Sequence, residues 1–169
     1  MRRLLDTLYA SAAALAALCM CGLLFMVMLS ILSRQLHFHV PGTDAYAGYL
    51  MAGAGFMALA HTLKRGEHIR VTLVLGLFKG RSRRGLEVFS LLMASLLAWL
   101  FAFYSCHLVW QSIEFNDIST GNDATPLWIP QLAMALGTVI FALAFLDELV
   151  LEIRGQRDLP PSGEMLRNE

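Results

Sequence analysis

A dense cluster of ionisable residues interrupts an otherwise apolar sequence, in the stretch HTLKRGEHIRV at positions 61–71. Histidine beside lysine, glutamate and arginine can bind a haem, act as a general base or anchor a helix at a membrane surface. A general base needs a nucleophile or a substrate pocket beside it, and neither accompanies His68 in the sequence. We therefore interpret the cluster as an anchor, and we predict that the chain is not an enzyme.

Two histidines in apolar segments test the haem interpretation. His61 ends the segment before the cluster, and His107 lies late in the following one. At 1.5 Å per residue along a helix, the two differ in depth by most of a membrane, so one haem iron cannot bind both. No cofactor is therefore predicted for this chain. The membrane anchor of a haem or quinone complex is kept as the alternative function.

Composition indicates a membrane protein. Of the 169 residues, 57% are hydrophobic and only 15% are charged, and the mean hydropathy is +0.58. A soluble domain carries about a quarter charged residues, so lipid must cover much of this apolar surface. Four apolar segments have about the 20 residues that a transmembrane helix needs. The predicted fold is an all-α integral membrane protein, a single domain at 1–154 with spans at about 5–32, 46–63, 86–113 and 127–150.

The distribution of lysine and arginine predicts the orientation. The N-terminus carries two of the thirteen, the loop after the second span seven, and the tail three. The remaining one is Arg34 in the first loop, and the third loop has none. Because cytoplasmic loops are rich in these residues, both termini and the second loop are predicted to be cytoplasmic. The segment 155–169 is predicted to be a flexible cytoplasmic tail.

The segment IRVTLVLGLFKG after the charged cluster is apolar but too short to span a membrane. On a helix, His68, Thr72 and Lys79 share one stripe, and the rest of the surface is apolar apart from Arg70. This pattern predicts an amphipathic helix at about 67–79 on the cytoplasmic membrane surface. A strand there would leave backbone groups unsatisfied in lipid.

The predicted spans contain no visible path for a charged solute. An ion pathway usually requires an acidic residue inside a span, and the first three spans have none at mid-depth. Asp147, Glu148 and Glu152 end the fourth span, where solvent is expected to reach them. The second span is rich in glycine and alanine, which let helices approach closely, and it is predicted to be the most protein-buried span. The chain is therefore expected to assist another protein rather than transport by itself.

Several motifs resemble those of one transporter family. They are Arg34 after the first span, PGTDAY entering the second, LKRGEHIRVTL following it, and PLWIPQLAMALG leading into the fourth. With the four-span layout, they make the chain similar to the small membrane subunit (DctQ type) of tripartite ATP-independent periplasmic (TRAP) transporters. The resemblance implies a bacterial inner-membrane protein that braces a large subunit. That partner would carry an organic acid and sodium, and a periplasmic binding protein would deliver the substrate.

The candidate functional residues form two groups. The outer loop between the third and fourth spans is acidic and lacks lysine and arginine, and it is either a solvated connection or a docking surface formed by Glu114, Asp117 and Asp123. Near the cytoplasm, lysine and arginine are expected to anchor the chain to anionic lipid. The candidates for the membrane anchor or the subunit interface are Arg34, Asp44, Gly48, Ala52, Gly55, Lys64, Arg65, Glu67, His68, Arg70, Trp128 and Gln131.

Overall fold

A computed structural model of the chain describes residues 2–38, 40–65, 81–121 and 123–155. Within these ranges the protein forms four helices: α1 (Arg2–Gln35), α2 (Thr43–Lys64), α3 (Arg81–Glu114) and α4 (Trp128–Arg154).

The all-α prediction is confirmed for the described residues. Their β structure is limited to an isolated bridge between Ile118 and Pro126. Each of the four predicted apolar segments coincides with one helix, and each helix extends beyond its segment at one end or both. The predicted surface helix at 67–79 lies outside the described residues, and so does the predicted tail apart from Gly155.

Three of the helices are long and apolar enough to cross a membrane. They are Leu4–Gln35 in α1, Arg84–Glu114 in α3 and Trp128–Arg154, which is all of α4. α2 is not among them. The fourth span, which the sequence places in α2, stays a prediction.

The helices pack side by side in the order α1–α2–α4–α3. α2 and α4 occupy the centre of this row, and α1 and α4 touch only slightly. α1 and α3 form the two edges, so each packs mainly along one neighbouring helix in the described part of the chain. Their outer faces expose large apolar side chains, such as Leu18 (69%) and Phe103 (65%), which must be covered by lipid or by another membrane protein.

Small residues allow the two central helices to approach closely. A Cβ atom added at Gly137 of α4 would lie 2.6 Å from the carbonyl oxygen of Phe56 in α2. On α2, Gly53 is buried against the neighbouring helices, whereas Gly48 and Gly55 face open space. The small residues of α2 therefore lie on two faces. One face packs against the neighbouring helices of the row, and the other is open.

The row has two chemically different ends. The charged end combines the start of α1, the end of α2, the start of α3 and the end of α4. Its ionisable groups include Lys64, Arg84, Asp147, Glu148 and Glu152. The loop end consists of the α1–α2 and α3–α4 connections together with the helix ends beside them.

Candidate functional site: the two ends of the helix row

Lys64, the last residue of α2, lies between two acidic residues of α4. Its ammonium contacts the Asp147 carboxylate, and its Nζ is 3.2 Å from Oε1 of Glu148. The Lys64, Asp147 and Glu148 side chains are 20%, 22% and 9% exposed, so water screens these ion pairs only weakly. The ammonium also lies 5.3 Å from the centroid of the Tyr9 ring, which is a cation–π distance. One lysine thus joins α1, α2 and α4.

This geometry corrects one expectation about the acidic residues. Solvent was expected to reach all three, but Glu148 and Glu152 are each only 7% exposed. Burying carboxylates is costly unless cations or hydrogen-bond donors are placed beside them, and Lys64 supplies such a cation to Glu148. This contact was not predicted, although the sequence contains a signal for it. Lys64 and the acidic residues end two spans at the same predicted side of the membrane.

Arg84 connects the start of α3 to the end of α4. Its Nη2 donates to the carbonyl oxygens of Ile153 (3.1 Å) and Glu152 (3.4 Å). Carbonyl groups in the last turn of a helix lack intrahelical donors, and the helix dipole favours a cation there. Gly155 then ends α4 with a φ of 66°, in the left-handed region that favours glycine. Lys64 and Arg84 together link all four helices at the charged end.

Asp123 organises the loop end. Its carboxylate accepts hydrogen bonds from the hydroxyls of Tyr49 in α2 (2.9 Å) and Ser119 (2.8 Å). The backbone N–H of Ser119 donates to the carbonyl oxygen of Thr125 (2.9 Å), which closes the connection into a turn. Gly42, with a φ of 79°, lies so close that an added Cβ would be 2.9 Å from the Asp123 Cβ. The α3–α4 connection is therefore folded onto the start of α2.

The same hydrogen bonds lower the pKa of Asp123. Partial desolvation acts to raise this pKa, but hydrogen bonds from Ser119, Thr125 and Tyr49 stabilise the carboxylate and bring the pKa from 3.8 to about 2. A carboxyl group with a depressed pKa in the folded state stabilises the fold fully above its unfolded pKa. That contribution is lost as the pH falls through the folded pKa.

We expect the contribution of the Asp123 carboxylate to the stability of the fold to disappear as the pH is lowered from 3.8 to about 2. The measurement is an NMR titration of the aspartate carboxyl carbons in the full-length protein. The Asp123 signal is assigned by its absence in the Asp123→Asn variant. A titration midpoint at 3.8 would contradict the hydrogen-bonded arrangement.

Arg34 and Asp44, two of the predicted interface residues, face each other between α1 and α2. Nη2 of Arg34 is 3.6 Å from Oδ2 of Asp44, and the two side chains are 76% and 79% exposed. The hydroxyl of Ser30 also donates a hydrogen bond to Asp44 (3.2 Å). An exposed ion pair contributes at most about 1 kcal/mol, so it does little for the fold. Both residues border a cleft of about 460 Å³ that is also lined by His37, and both remain accessible to a partner.

The other predicted interface residues differ in accessibility. Gln131 is half-buried, and its Oε1 is buried without a hydrogen-bond partner among the described residues. Glu67, His68 and Arg70 lie outside the described residues. The exposed ones are Gly48, Ala52, Gly55, Arg65 and Trp128.

The predicted docking residues also divide into two kinds. Glu114 and Asp117 are exposed, whereas Asp123 is half-buried and bound to Tyr49 and Ser119. A partner therefore has direct access to the first two carboxylates. Asp123 instead contributes to this surface indirectly, because its hydrogen bonds hold the α3–α4 connection against α2.

The histidines of the spans lie toward opposite ends of the row. His61 is in the last turn of α2 beside the charged end, and His107 is seven residues before the end of α3 at the loop end. Across the described part of the chain, no three His, Cys, Asp or Glu side chains are placed to hold a metal ion. This arrangement gives no support to the haem alternative. The ion pairs of the described residues instead connect helices to each other.

A comparison with family models agrees with the motifs noted in the sequence. The model described as "Tripartite ATP-independent periplasmic transporters, DctQ component" matches residues 23–155, which is most of the chain. The match begins within α1 and includes Lys64, Asp123 and the acidic residues of α4. No curated protein matches the chain. The chain therefore belongs to the DctQ family of TRAP transporter membrane components.

Proposed function

We propose that this chain is a non-catalytic small permease subunit that braces the large, substrate-carrying subunit of a TRAP transporter. Family membership supports the proposal, and one structural observation carries it. The ion pairs of the described helices lie at the two ends of the row, while the outer faces of α1 and α3 are largely apolar. Such a row offers surfaces to another membrane protein, and its ionic contacts stiffen it as a scaffold.

The partners follow from the family. The large subunit carries an organic acid together with sodium, and a soluble periplasmic protein delivers the acid, so this chain itself binds no cofactor. Gly48, Ala52 and Gly55 form part of the contact with the large subunit, because open small residues let another helix approach closely. Glu114 and Asp117 offer an acidic surface to the periplasmic protein, where rim charges chiefly affect the association rate.

The chain lies in the bacterial inner membrane with both termini in the cytoplasm. Twelve of the thirteen Lys and Arg residues support this orientation, which places the charged end at the cytoplasmic face. In a cysteine-free background, an impermeant thiol reagent added outside intact cells should label a cysteine at Thr120. It should not label one at Gly85. Labelling at Gly85 alone would reverse the orientation.

Reconstitution in liposomes with a sodium gradient tests the function. The chain alone should take up no organic acid, because its described spans provide no charged route through the bilayer. Liposomes that contain this chain and the large subunit, supplied with the binding protein, should take up the acid. Omitting this chain should lower that uptake at least tenfold. Complete liposomes without the gradient serve as the control. Gradient-dependent uptake by the isolated chain would overturn the proposal.

A further inference from the structure

The outer face of α3 carries polar side chains in an otherwise apolar span. Leu100, Tyr104, His107, Gln111 and Glu114 follow one another at spacings of three and four residues, and all five are exposed. Side chains at this spacing share one face of a helix, and the spacing is that of a seam between two packed helices. The buried residues of α3, such as Ala102, lie on the opposite side against α4.

These polar groups lie below the membrane surface. The N–H of Leu127 donates to the carbonyl oxygen of Asp117 (3.0 Å), so the start of α4 lies level with the end of α3. Trp128, which starts α4, is typical of the membrane–water interface. At 1.5 Å per residue, His107 is about 10 Å and Tyr104 about 15 Å deeper than Glu114. Unlike lysine or arginine, an imidazole is too short to reach the interface from that depth.

Lipid is a poor environment for this face. The side chains of His107 and Gln111 form no hydrogen bond with another described residue, and hydrocarbon cannot supply one. Histidine within a span almost always faces protein or a water-filled cavity rather than lipid. The ring of His107 lies near the ring of Phe103, with a centroid distance of 6.3 Å, and that ring is no substitute for a hydrogen-bond partner. The face therefore requires a partner that presents hydrogen-bonding groups at the depth of His107.

The other edge of the row has a different chemistry. On α1 the outer face at the same kind of spacing is formed by Leu18, Cys21, Phe25 and Met28, all of which lipid can cover. The hydroxyl of Ser11, also on this helix, donates to the carbonyl oxygen of Leu8 (2.8 Å), so the helix itself satisfies it. The two edges are therefore suited to different surroundings.

The negative charge of Glu114 indicates which groups a partner must carry. Glu114 ends the polar face of α3, and the chain contains no lysine or arginine from Gly85 to Ile153. The parts of α3 and α4 between Gly85 and Ile153 therefore offer no lysine or arginine to this carboxylate. A complementary surface would carry a basic group beside Glu114 and a hydrogen-bonding side chain beside His107. Such complementarity sets the register and specificity of a contact.

We propose that the Tyr104–His107–Gln111–Glu114 face of α3 is the edge of the row that binds a transmembrane helix of the large subunit. α1 is then the edge that faces lipid. This inference rests on the proposed function, since it assigns a surface to the partner named there. Hydrogen-bonding side chains on membrane helices are known to hold helix pairs together.

Site-specific photo-crosslinking tests the assignment in the assembled complex. A benzophenone amino acid replaces Tyr104 (61% exposed) or, as the matched control, Phe25 of α1 (66% exposed). We expect at least fivefold more crosslinking to the large subunit from position 104. Equal yields, a crosslink from 104 to a second copy of this chain, or crosslinks from 104 to lipid alone would each overturn the proposal.

A double substitution gives a second, independent result. Replacing His107 and Gln111 by leucine makes the face more compatible with lipid. If the face were covered by lipid, the variant would co-purify with the large subunit as well as wild type does. We expect co-purification to fall at least threefold while the amount of the chain in the membrane is unchanged. Phe25→Leu with Met28→Leu on α1 is the matched control, and we expect it to leave co-purification unchanged.

Different results would contradict the proposed function and the assignment of α3 to the partner. If the wild-type chain does not co-purify with a large subunit, the proposed function is wrong. If it does, and the leucine variant at His107 and Gln111 binds equally well, only the assignment of α3 is wrong.

Discussion

Lys64→Met should lower the free energy of unfolding by about 3 kcal/mol, the low end of the range for breaking a buried ion pair. The substitution keeps an unbranched apolar stem but removes the cation that Asp147 and Glu148 both contact. We choose the low end because Lys64 and Asp147 keep about a fifth of their side-chain surface exposed. The cation–π contact with Tyr9 is lost as well. The measurement is the thermal unfolding of the detergent-solubilised protein.

The neighbouring residue provides the control for this prediction. Arg65 is exposed and forms no ion pair with a described residue, so Arg65→Met should change stability by no more than about 0.5 kcal/mol. Adding Asp147→Asn and Glu148→Gln to Lys64→Met should recover most of the loss, because the substitutions also remove the negative charges. Equal stability of the Lys64 and Arg65 variants would contradict the ionic role of Lys64.

Gly137→Ala should destabilise the packing of α2 on α4. The added Cβ would lie 2.6 Å from the carbonyl oxygen, 2.7 Å from the carbonyl carbon and 2.8 Å from the Cβ of Phe56. Two of these atoms are backbone, so the helices themselves must move apart. Overpacking of this kind costs roughly 1–3 kcal/mol, and the better helix propensity of alanine offsets up to about 1 kcal/mol of it. We expect a net loss of about 2 kcal/mol in the same thermal assay.

Gly55→Ala is the matched control for Gly137→Ala. Outside the backbone of α2 itself, no atom of the described residues lies within 4 Å of the position of a Cβ at Gly55. Alanine there therefore adds its higher helix propensity without a clash. The isolated variant should be as stable as wild type or more stable by up to about 1 kcal/mol. If both alanine variants lost stability equally, the close approach at Gly137 would be refuted. The Gly55 variant also tests the predicted interface, because it should lower co-purification with the large subunit.

Much of the fold could be predicted because its causes are local. A run of about twenty apolar residues in lipid satisfies its backbone groups by forming a helix, so composition predicts all four helices, of which α1, α3 and α4 are apolar enough to cross a membrane. The family could also be recognised from short motifs such as PGTDAY and LKRGEHIRVTL, and the match over 23–155 confirms it. The candidate sites were predicted less completely. Arg34 and Asp44 were identified singly, but their pairing depends on how α1 meets α2.

Only the tertiary structure decided which groups meet. Lys64 and Glu148 are 84 positions apart, and the sequence predicts only that both lie at the same side of the membrane, not that their side chains meet. Small residues occur on several sides of α2, so no periodicity distinguishes Gly53, which packs near Ala133, from Gly55, which faces open space. The close approach at Gly137 brings α2 onto α4, and the end of α2 then lies beside the acidic residues. Burial of a carboxylate depends on a cation from a distant segment, and packing alone brings the two together.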